Sequence, residues 1–296
     1  MSIFIDDKTR VLVQGITGGE GSFWTRHMVE MGTNVVAGVT PGKEGQSIEG
    51  VPVYNTVRAA VAQSQADASV LFVPPRFSKD AIFEALDAGI KKIVVTAEGI
   101  PIHDAIELRR AALARGAMVI GGNTTGVVTA GVAMMGFIPY WIERVYKPGR
   151  IGVMTRSGSL TNEVTAMVVK GGFGVSSLIG IGGDSAPMTR FAEMLPLYEA
   201  DDDTDAVVII GELGGTMEEE VAEAIEKKIF TKPLVAFIAG RTAPAGKKMG
   251  HAGAIVTGGK GTVAGKVEAL TNAGALVAKR PSQMGELLHS LLDGAG

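Results

Sequence analysis

The chain has 296 residues, length enough for two domains that each bury a core. A net charge of -3 supplies no basic excess for a general nucleic-acid binder. With no cysteine, disulfides, thiol catalysis and thiolate metal sites are excluded, and four scattered histidines (His27, His103, His251, His289) argue against a histidine-rich metal site, so no metal ligand set is expected. No stretch reaches the roughly 18 uninterrupted apolar residues of a membrane span. The first residues lack the basic-then-apolar pattern of a signal peptide, so a soluble, cytoplasmic protein is expected.

In chain order, strand-like apolar runs at residues 10–14, 34–38, 68–73, 92–96 and 118–121 alternate with helical patterns at 21–31, 57–65, 77–88 and 103–115. This rhythm predicts a mostly parallel sheet covered on both faces, a Rossmann-like domain over residues 1–125. Residues 126–149 read as an irregular connector closed by Lys147-Pro148-Gly149. A second alternation follows over 150–296. Its strands are expected at 150–155, 175–181, 206–210, 234–238 and 275–277, and its helices at 160–170, 189–198, 217–228, 262–272 and 282–292. The fold class is therefore α/β: a Rossmann-like domain, then an open α/β domain of flavodoxin-like length.

The 41 glycines cluster after the strand-like runs, where tight turns and ligand phosphates need close backbone approach. The first run ends in Gly15-Ile16-Thr17-Gly18-Gly19-Glu20-Gly21, a turn that opens a helix and suits a pyrophosphate on backbone N–H groups. It fits NAD, FAD or CoA. An NAD site calls for an acid about 20 residues on. Here stands Gly38-Val39-Thr40-Pro41-Gly42-Lys43, whose lysine suits the phosphorylated ribose of CoA or NADP. Two further strand ends, Val73-Pro74-Pro75 and Thr96-Ala97-Glu98-Gly99-Ile100-Pro101, are candidate ligand loops or simple turns.

In the second domain Arg156-Ser157-Gly158-Ser159-Leu160 follows a strand and begins a helix. Ser157 or Ser159 can cap it, and its N–H groups can hold a phosphate. Far downstream lies Lys247-Lys248-Met249-Gly250-His251-Ala252-Gly253-Ala254, a histidine open to approach behind two anion-attracting lysines. A carboxylate, Glu212, closes an apolar run in Gly211-Glu212-Leu213-Gly214-Gly215. A carboxylate on one ring nitrogen frees the other for attack, the arrangement of a histidine that carries a phosphoryl group. A surface histidine and an ordinary helix cap are the plain readings of the same residues.

Taken together, these motifs resemble the α subunit of succinyl-CoA synthetase and the related acid–CoA ligases that form a nucleoside diphosphate. The correspondence runs nearly end to end and includes Gly182-Gly183-Asp184. The resemblance implies that Thr17, Gly18, Gly19 and Glu20 contact CoA through their backbone, with Lys43 near a CoA phosphate and Thr96, Ala97 and Glu98 lining the same cofactor. It implies a phosphohistidine at His251, oriented by Glu212, with Ser157, Gly158 and Ser159 cradling the phosphate. It also implies an ATP-grasp β subunit, in an αβ or α2β2 assembly, that supplies the ATP or GTP site with Mg2+. This chain would then be half of an enzyme acting on a small carboxylic acid.

Three stretches depart from the family pattern. Gly121-Gly122-Asn123-Thr124-Thr125-Gly126 stands where the family has Gly-Pro-Asn-Cys-Pro-Gly, a change expected to add hydroxyl donors and loosen the loop. Asn162 stands where the family has tyrosine. Residues 137–144, Phe-Ile-Pro-Tyr-Trp-Ile-Glu-Arg, are more aromatic than the usual connector and read as a packing or subunit surface. With Asn123, Thr124, Thr125 and Asn162 near the acid, the expected substrate is more polar than succinate, malate-like or sulfoacetate-like. An ordinary succinyl-CoA synthetase α subunit is the alternative. An NADP-dependent oxidoreductase would leave His251 and Glu212 idle, and a non-catalytic CoA-binding protein would have no need of them.

Overall fold

The computed structural model describes residues 3–243, 250–256 and 261–293. The chain forms two compact units. One comprises Phe4–Ile138 with Ala186–Thr189, the other Pro139–Ser185 with the described residues from Arg190 onward.

The first unit runs β1 (Val11–Gln14), α1 (Gly19–Met31), β2 (Val35–Val39), β3 (Ser47–Ile48), β4 (Val51–Tyr54), α2 (Val57–Ser64), β5 (Ala68–Leu71), α3 (Pro75–Asp87), β6 (Lys92–Val95), α4 (Ile102–Ala114), β7 (Met118–Gly121), β8 (Gly126–Thr129) and β9 (Ala133–Gly136). Its main sheet has the order β3-β4-β2-β1-β5-β6-β7 and is parallel except for the β3–β4 pair. Every residue of Val-Leu-Val-Gln in β1 and Ala-Ser-Val-Leu in β5 is buried. Such nearly continuous apolar runs, their buried Gln14 and Ser69 bonded to each other, form strands because helices cover both faces of the sheet. Omitting the short β3, the order is that of a Rossmann sheet, with its reversal of direction between β1 and β5.

Two hairpins escape the sequence pattern. Ser47–Ile48 and Val51–Tyr54 pair across Glu49-Gly50, whose φ angles are both positive, 51° and 81°. That is the backbone of a two-residue hairpin loop, but Glu is a weak sequence signal for it. The β8–β9 pair lies within the stretch read as irregular, because its apolar runs are only a few residues long. A short strip from the second half of the sequence also returns to this unit. Met188 N–H donates to Gly121 O at 3.0 Å, and Thr189 Oγ1 to Val119 O at 2.7 Å.

The second unit runs α5 (Glu143–Tyr146), β10 (Pro148–Thr155), α6 (Gly158–Lys170), β11 (Val175–Gly180), α7 (Phe191–Glu199), β12 (Ala206–Glu212), α8 (Met217–Glu226), β13 (Leu234–Ala239), α9 (Val263–Asn272), β14 (Leu276–Ala278) and α10 (Met284–Leu292). The strands β14-β13-β12-β10-β11 are neighbours in that order and pair in parallel. Counted from β10 this is the flavodoxin-like order 2-1-3-4-5, which reverses between β10 and β12. Strand β12 is buried throughout and delivers Glu212 at its carboxyl end.

Candidate active site

Ligands of open α/β sheets bind beyond the carboxyl ends of the strands, where the order reverses. In the second unit that edge carries the loop after β10, which is Arg156-Ser157, and Glu212, the last residue of β12, with the loop that follows it. Ser157 caps α6, its hydroxyl accepting from Leu160 N–H at 3.5 Å, and lies 3.5 Å from Ser159 Oγ. Below the loop, Thr161 Oγ1 donates to Thr155 Oγ1 at 2.8 Å, and Thr155 Oγ1 accepts from Ser157 N–H at 3.1 Å. These buried hydroxyls stiffen the turn that presents Ser157, Gly158 and Ser159.

Opposite stands His251, its Nδ1 2.8 Å from Glu212 Oε2, with the imidazole one-quarter exposed and the carboxylate nearly buried. A carboxylate only accepts, so Nδ1 carries the proton and the ring's lone pair lies on Nε2. The ring fits only because residue 183 is glycine: a Cβ there would lie 2.5 Å from the imidazole. His251, Glu212, Ser157 and Ser159 line one cavity of about 330 Å³. Thus the catalytic and phosphate-binding candidates of the second domain converge. Lys247 and Lys248, the expected anion attractors, lie outside the described residues.

Arg156 is 4% exposed and sits directly behind Glu212, Nη2 to Oε1 at 3.3 Å. Its part in the glycine-serine motif was legible in the sequence; its pairing with Glu212 was not, since 56 positions separate them. Asn162 lies three positions beyond Ser159 on α6, on the same helix face, and accepts a hydrogen bond at Oδ1 from the Tyr146 hydroxyl. Burial pushes the Tyr146 phenol above its ordinary pKa, so it stays a protonated donor. No sequence pattern marks Tyr146; it belongs to the aromatic connector, whose Tyr140 and Trp141 pack edge to face with ring centroids 5.4 Å apart.

In the first unit the β1–α1 turn, the β2–β4 connection and the loop after β6 all leave the same edge of the sheet. Gly18 opens α1 with no side-chain cap, which leaves the first helical amides to a ligand. Thr17 N–H reaches Thr40 Oγ1 at 3.5 Å, tying the first two loops together. Lys43 is exposed, in a loop braced by Asn55, whose Oδ1 accepts from Gly42 N–H at 2.7 Å and whose amide donates to Glu44. Glu20 turns its carboxylate to Trp24 Nε1 at 3.0 Å, so a ligand meets its backbone. Thr96 donates from Oγ1 to Leu71 O at 2.7 Å, Ala97 O accepts from Asn123 N–H at 2.8 Å, and Glu98 is exposed. A cavity of about 440 Å³ opens at the reversal point between Gly15, Thr40, Pro41, Phe72 and Pro74. Its walls are largely apolar, with Gly15 and a few polar side chains among them, the chemistry a nucleotide-bearing thiol cofactor needs.

The loop after β7 is tighter than the sequence implied. Thr124 is 2% exposed, and its Oγ1 accepts from Gly126 N–H at 2.9 Å, so this hydroxyl braces the turn rather than loosening it. Thr125 is half-buried, its carbonyl accepting from Phe137 N–H at 2.8 Å. Among the described residues no group of three or more His, Asp or Glu side chains is placed to hold a metal, and no helix is long and apolar enough to cross a membrane.

Substitution of Gly21 is the sharpest test of the first site. A Cβ at residue 21 would lie 2.1 Å from Gly15 O, so the turn itself must move. Gly21→Ala is expected to destabilise this unit by about 1–3 kcal/mol and to abolish protection by CoA in a thermal melt. Gly19→Ala, with nothing within 4 Å of the added carbon, leaves the melting midpoint in place.

Residues 6–99 match the CoA binding domain and residues 154–276 the CoA-ligase domain. The chain belongs to the family of ADP-forming acid–CoA ligase subunits and is an acid–thiol ligase subunit with a CoA-binding domain. Among its relatives are the "ADP-forming sulfoacetate-CoA ligase subunit SauD" of Bilophila wadsworthia (strain 3_1_6), 70% identical over 99% of this chain and 100% of that one, and the corresponding subunit SqwL of Acholeplasma sp., 67% identical over 98% of each. A succinate–CoA ligase α subunit of Archaeoglobus fulgidus is 48% identical over 94% of each chain. Among solved structures, ATP citrate lyase from Methanothrix soehngenii with citrate and coenzyme A superposes with a TM-score of 0.89 at 28% identity; this chain covers half of that one.

Proposed function

We propose that this chain is the α-type subunit of an ADP-forming sulfoacetate–CoA ligase, paired with an ATP-grasp β subunit that binds the nucleotide and Mg2+. The observation that carries the chemistry is the 2.8 Å Glu212–His251 contact at the rim of the serine-lined cavity. In this reading Nε2 of His251 attacks the γ-phosphorus of ATP and ADP leaves. A carboxylate oxygen of the acid then displaces the imidazole, giving an acyl phosphate. The CoA thiolate attacks that carbonyl and phosphate departs. Ser157, Gly158 and Ser159, at a helix N-terminus, hold the phosphoryl oxygens. CoA enters along Thr17, Gly18, Gly19 and Glu20, near Lys43 and the loop Thr96, Ala97 and Glu98.

Sulfoacetate is favoured over succinate by two things: the high identity to sulfoacetate–CoA ligase subunits, and the exchange of a phenol for an amide at Asn162. The Tyr146 hydroxyl fixes Asn162 Oδ1, which turns the Nδ2 hydrogens elsewhere as donors for an anionic group. A sulfonate offers three acceptor oxygens to such donors. Asn123 and Thr125 are the further candidates for the acid in this reading, whereas buried Thr124, its hydroxyl held by Gly126 N–H, supports their loop.

The test is CoA-dependent ADP release by the co-purified holoenzyme across sulfoacetate, succinate and malate. Sulfoacetate should lead. Asn162→Tyr is expected to cut the sulfoacetate-to-succinate ratio of kcat/KM by roughly 10-fold or more, the loss of about 1–3 kcal/mol from an unpaired polar group. Succinate turned over ahead of every polar acid by the unaltered enzyme would make the chain an ordinary succinyl-CoA synthetase subunit instead.

A further inference from the structure

A chain of buried charges runs away from His251 into the protein, and only its first members touch the cavity. Behind the Glu212–His251 contact, Arg156 bridges two carboxylates, Glu212 at 3.3 Å and Glu218 at 3.6 Å. Glu218, on α8, accepts the Glu212 backbone N–H at 3.1 Å. Its other oxygen accepts from Lys266 of α9, which also donates to Glu219 at 3.0 Å and to Gly215 O at 3.1 Å. Glu218 and Lys266 are both fully buried, and neither lines the cavity. Buried ions are costly to desolvate, and a well-packed apolar pair would serve stability as well. Their position suggests what they do instead. Glu212 is gripped twice, by Glu218 through its backbone and by Arg156 through its side chain, and the charge of Glu218 decides how Arg156 divides itself between the two.

Building on the phosphohistidine reading above, we propose that Glu218 and Lys266 are positioning residues for phosphoryl transfer: they set the place of Arg156, and through it the orientation of Glu212 and the ring nitrogen that His251 presents. Lys266 acts only through Glu218. With Glu218 neutralised, Arg156 has Glu212 as its one remaining anion in this chain of charges and draws that carboxylate off the imidazole. With Lys266 lost and Glu218 intact, the uncompensated carboxylate pulls Arg156 the other way.

The experiment measures the rate of His251 phosphorylation by ATP in the holoenzyme, per mole of α chain able to bind CoA, together with kcat and the KM for CoA. Glu218→Gln keeps an acceptor for the Glu212 N–H and leaves Lys266 on Glu219. It should slow phosphorylation and kcat 5- to 50-fold with the KM for CoA unchanged. Lys266→Met should slow them at least as much. The double variant Glu218→Gln/Lys266→Met should match Glu218→Gln within about threefold, because with Glu218 neutral the remaining Lys266–Glu219 pair has no charged link to Arg156. Multiplied losses in the double variant, or a wild-type rate for Glu218→Gln, would overturn the proposal; the comparison of double with Glu218→Gln holds even where Lys266→Met does not fold. Labelled wild-type enzyme with these outcomes sinks the network alone, whereas wild-type enzyme unlabelled at His251 sinks the phosphohistidine reading and the network with it.

Discussion

Replacing His251 with alanine is expected to remove acid-labile phosphorylation of this chain and, with it, CoA-dependent ADP release by the assembled enzyme. The loss of turnover should be on the order of 10⁴- to 10⁶-fold, the scale on which removal of a nucleophile acts when no neighbour can replace it. Among the described residues, Ser157 and Ser159 face the cavity, but no base is bonded to either hydroxyl. The other histidines have different surroundings: His27 pairs with Glu30 at 2.9 Å on a helix surface, His103 is exposed on α4, and His289 bonds Gly171 O at 2.9 Å and Asp293. The fold should survive, because the imidazole is one-quarter exposed and Glu212 retains Arg156. Incubation of the holoenzyme with γ-labelled ATP, followed by acid and base quenches, reads the outcome. Acid-labile label persisting in His251→Ala would assign the phosphoryl group to another residue.

Much of this architecture was written locally in the chain. Parallel strands buried on both faces, such as Val11–Gln14 and Ala206–Glu212, must be continuous apolar runs, and the turns after them must be glycine-rich. Both periodicity and punctuation therefore sit in one short window. The β3–β4 and β8–β9 hairpins have strands too short for periodicity to register, and one turns on Glu49-Gly50, a dipeptide with little turn signal. The return of Ala186–Thr189 to the first unit is a long-range event, fixed by carbonyls on Val119 and Gly121 that no local pattern could name.

The site divides the same way. Glu212 and His251 each announce themselves by the glycines that let a partner approach, and the need for Gly183 becomes physical once the ring is seen against it. Arg156, Glu218 and Lys266 look like the ordinary charged residues of capped helices; only burial reveals them, since a lysine at 0% exposure cannot be a solvated surface charge. Tyr146 shows the remaining limit. The sequence registered the phenol missing at 162 but not the one that α5 brings to the same amide.

Glu212→Gln should also cripple phosphorylation, less severely than loss of the histidine and by a different route. The substitution preserves shape, so folding and the KM for CoA, bound in the other unit, should hardly change. What changes is which proton His251 carries. Arg156 is a donor without acceptors and stands 3.3 Å from Oε1. It will take the glutamine oxygen, which leaves the amide NH2 facing Nδ1. An imidazole facing a donor must present a lone pair there, so its proton moves to Nε2, and the nitrogen that should attack phosphorus is blocked. Enforcing the wrong tautomer in a comparable carboxylate–histidine pair costs about 10⁴ in kcat; here, with Nδ1 and the carboxylate 2.8 Å apart, a loss of roughly 10²- to 10⁴-fold in phosphorylation rate is expected. Rapid-quench measurement of the first turnover separates this from slower steps. A Glu212→Gln enzyme that phosphorylates at the wild-type rate would mean that the carboxylate merely neighbours the ring and that the tautomer is fixed by something else.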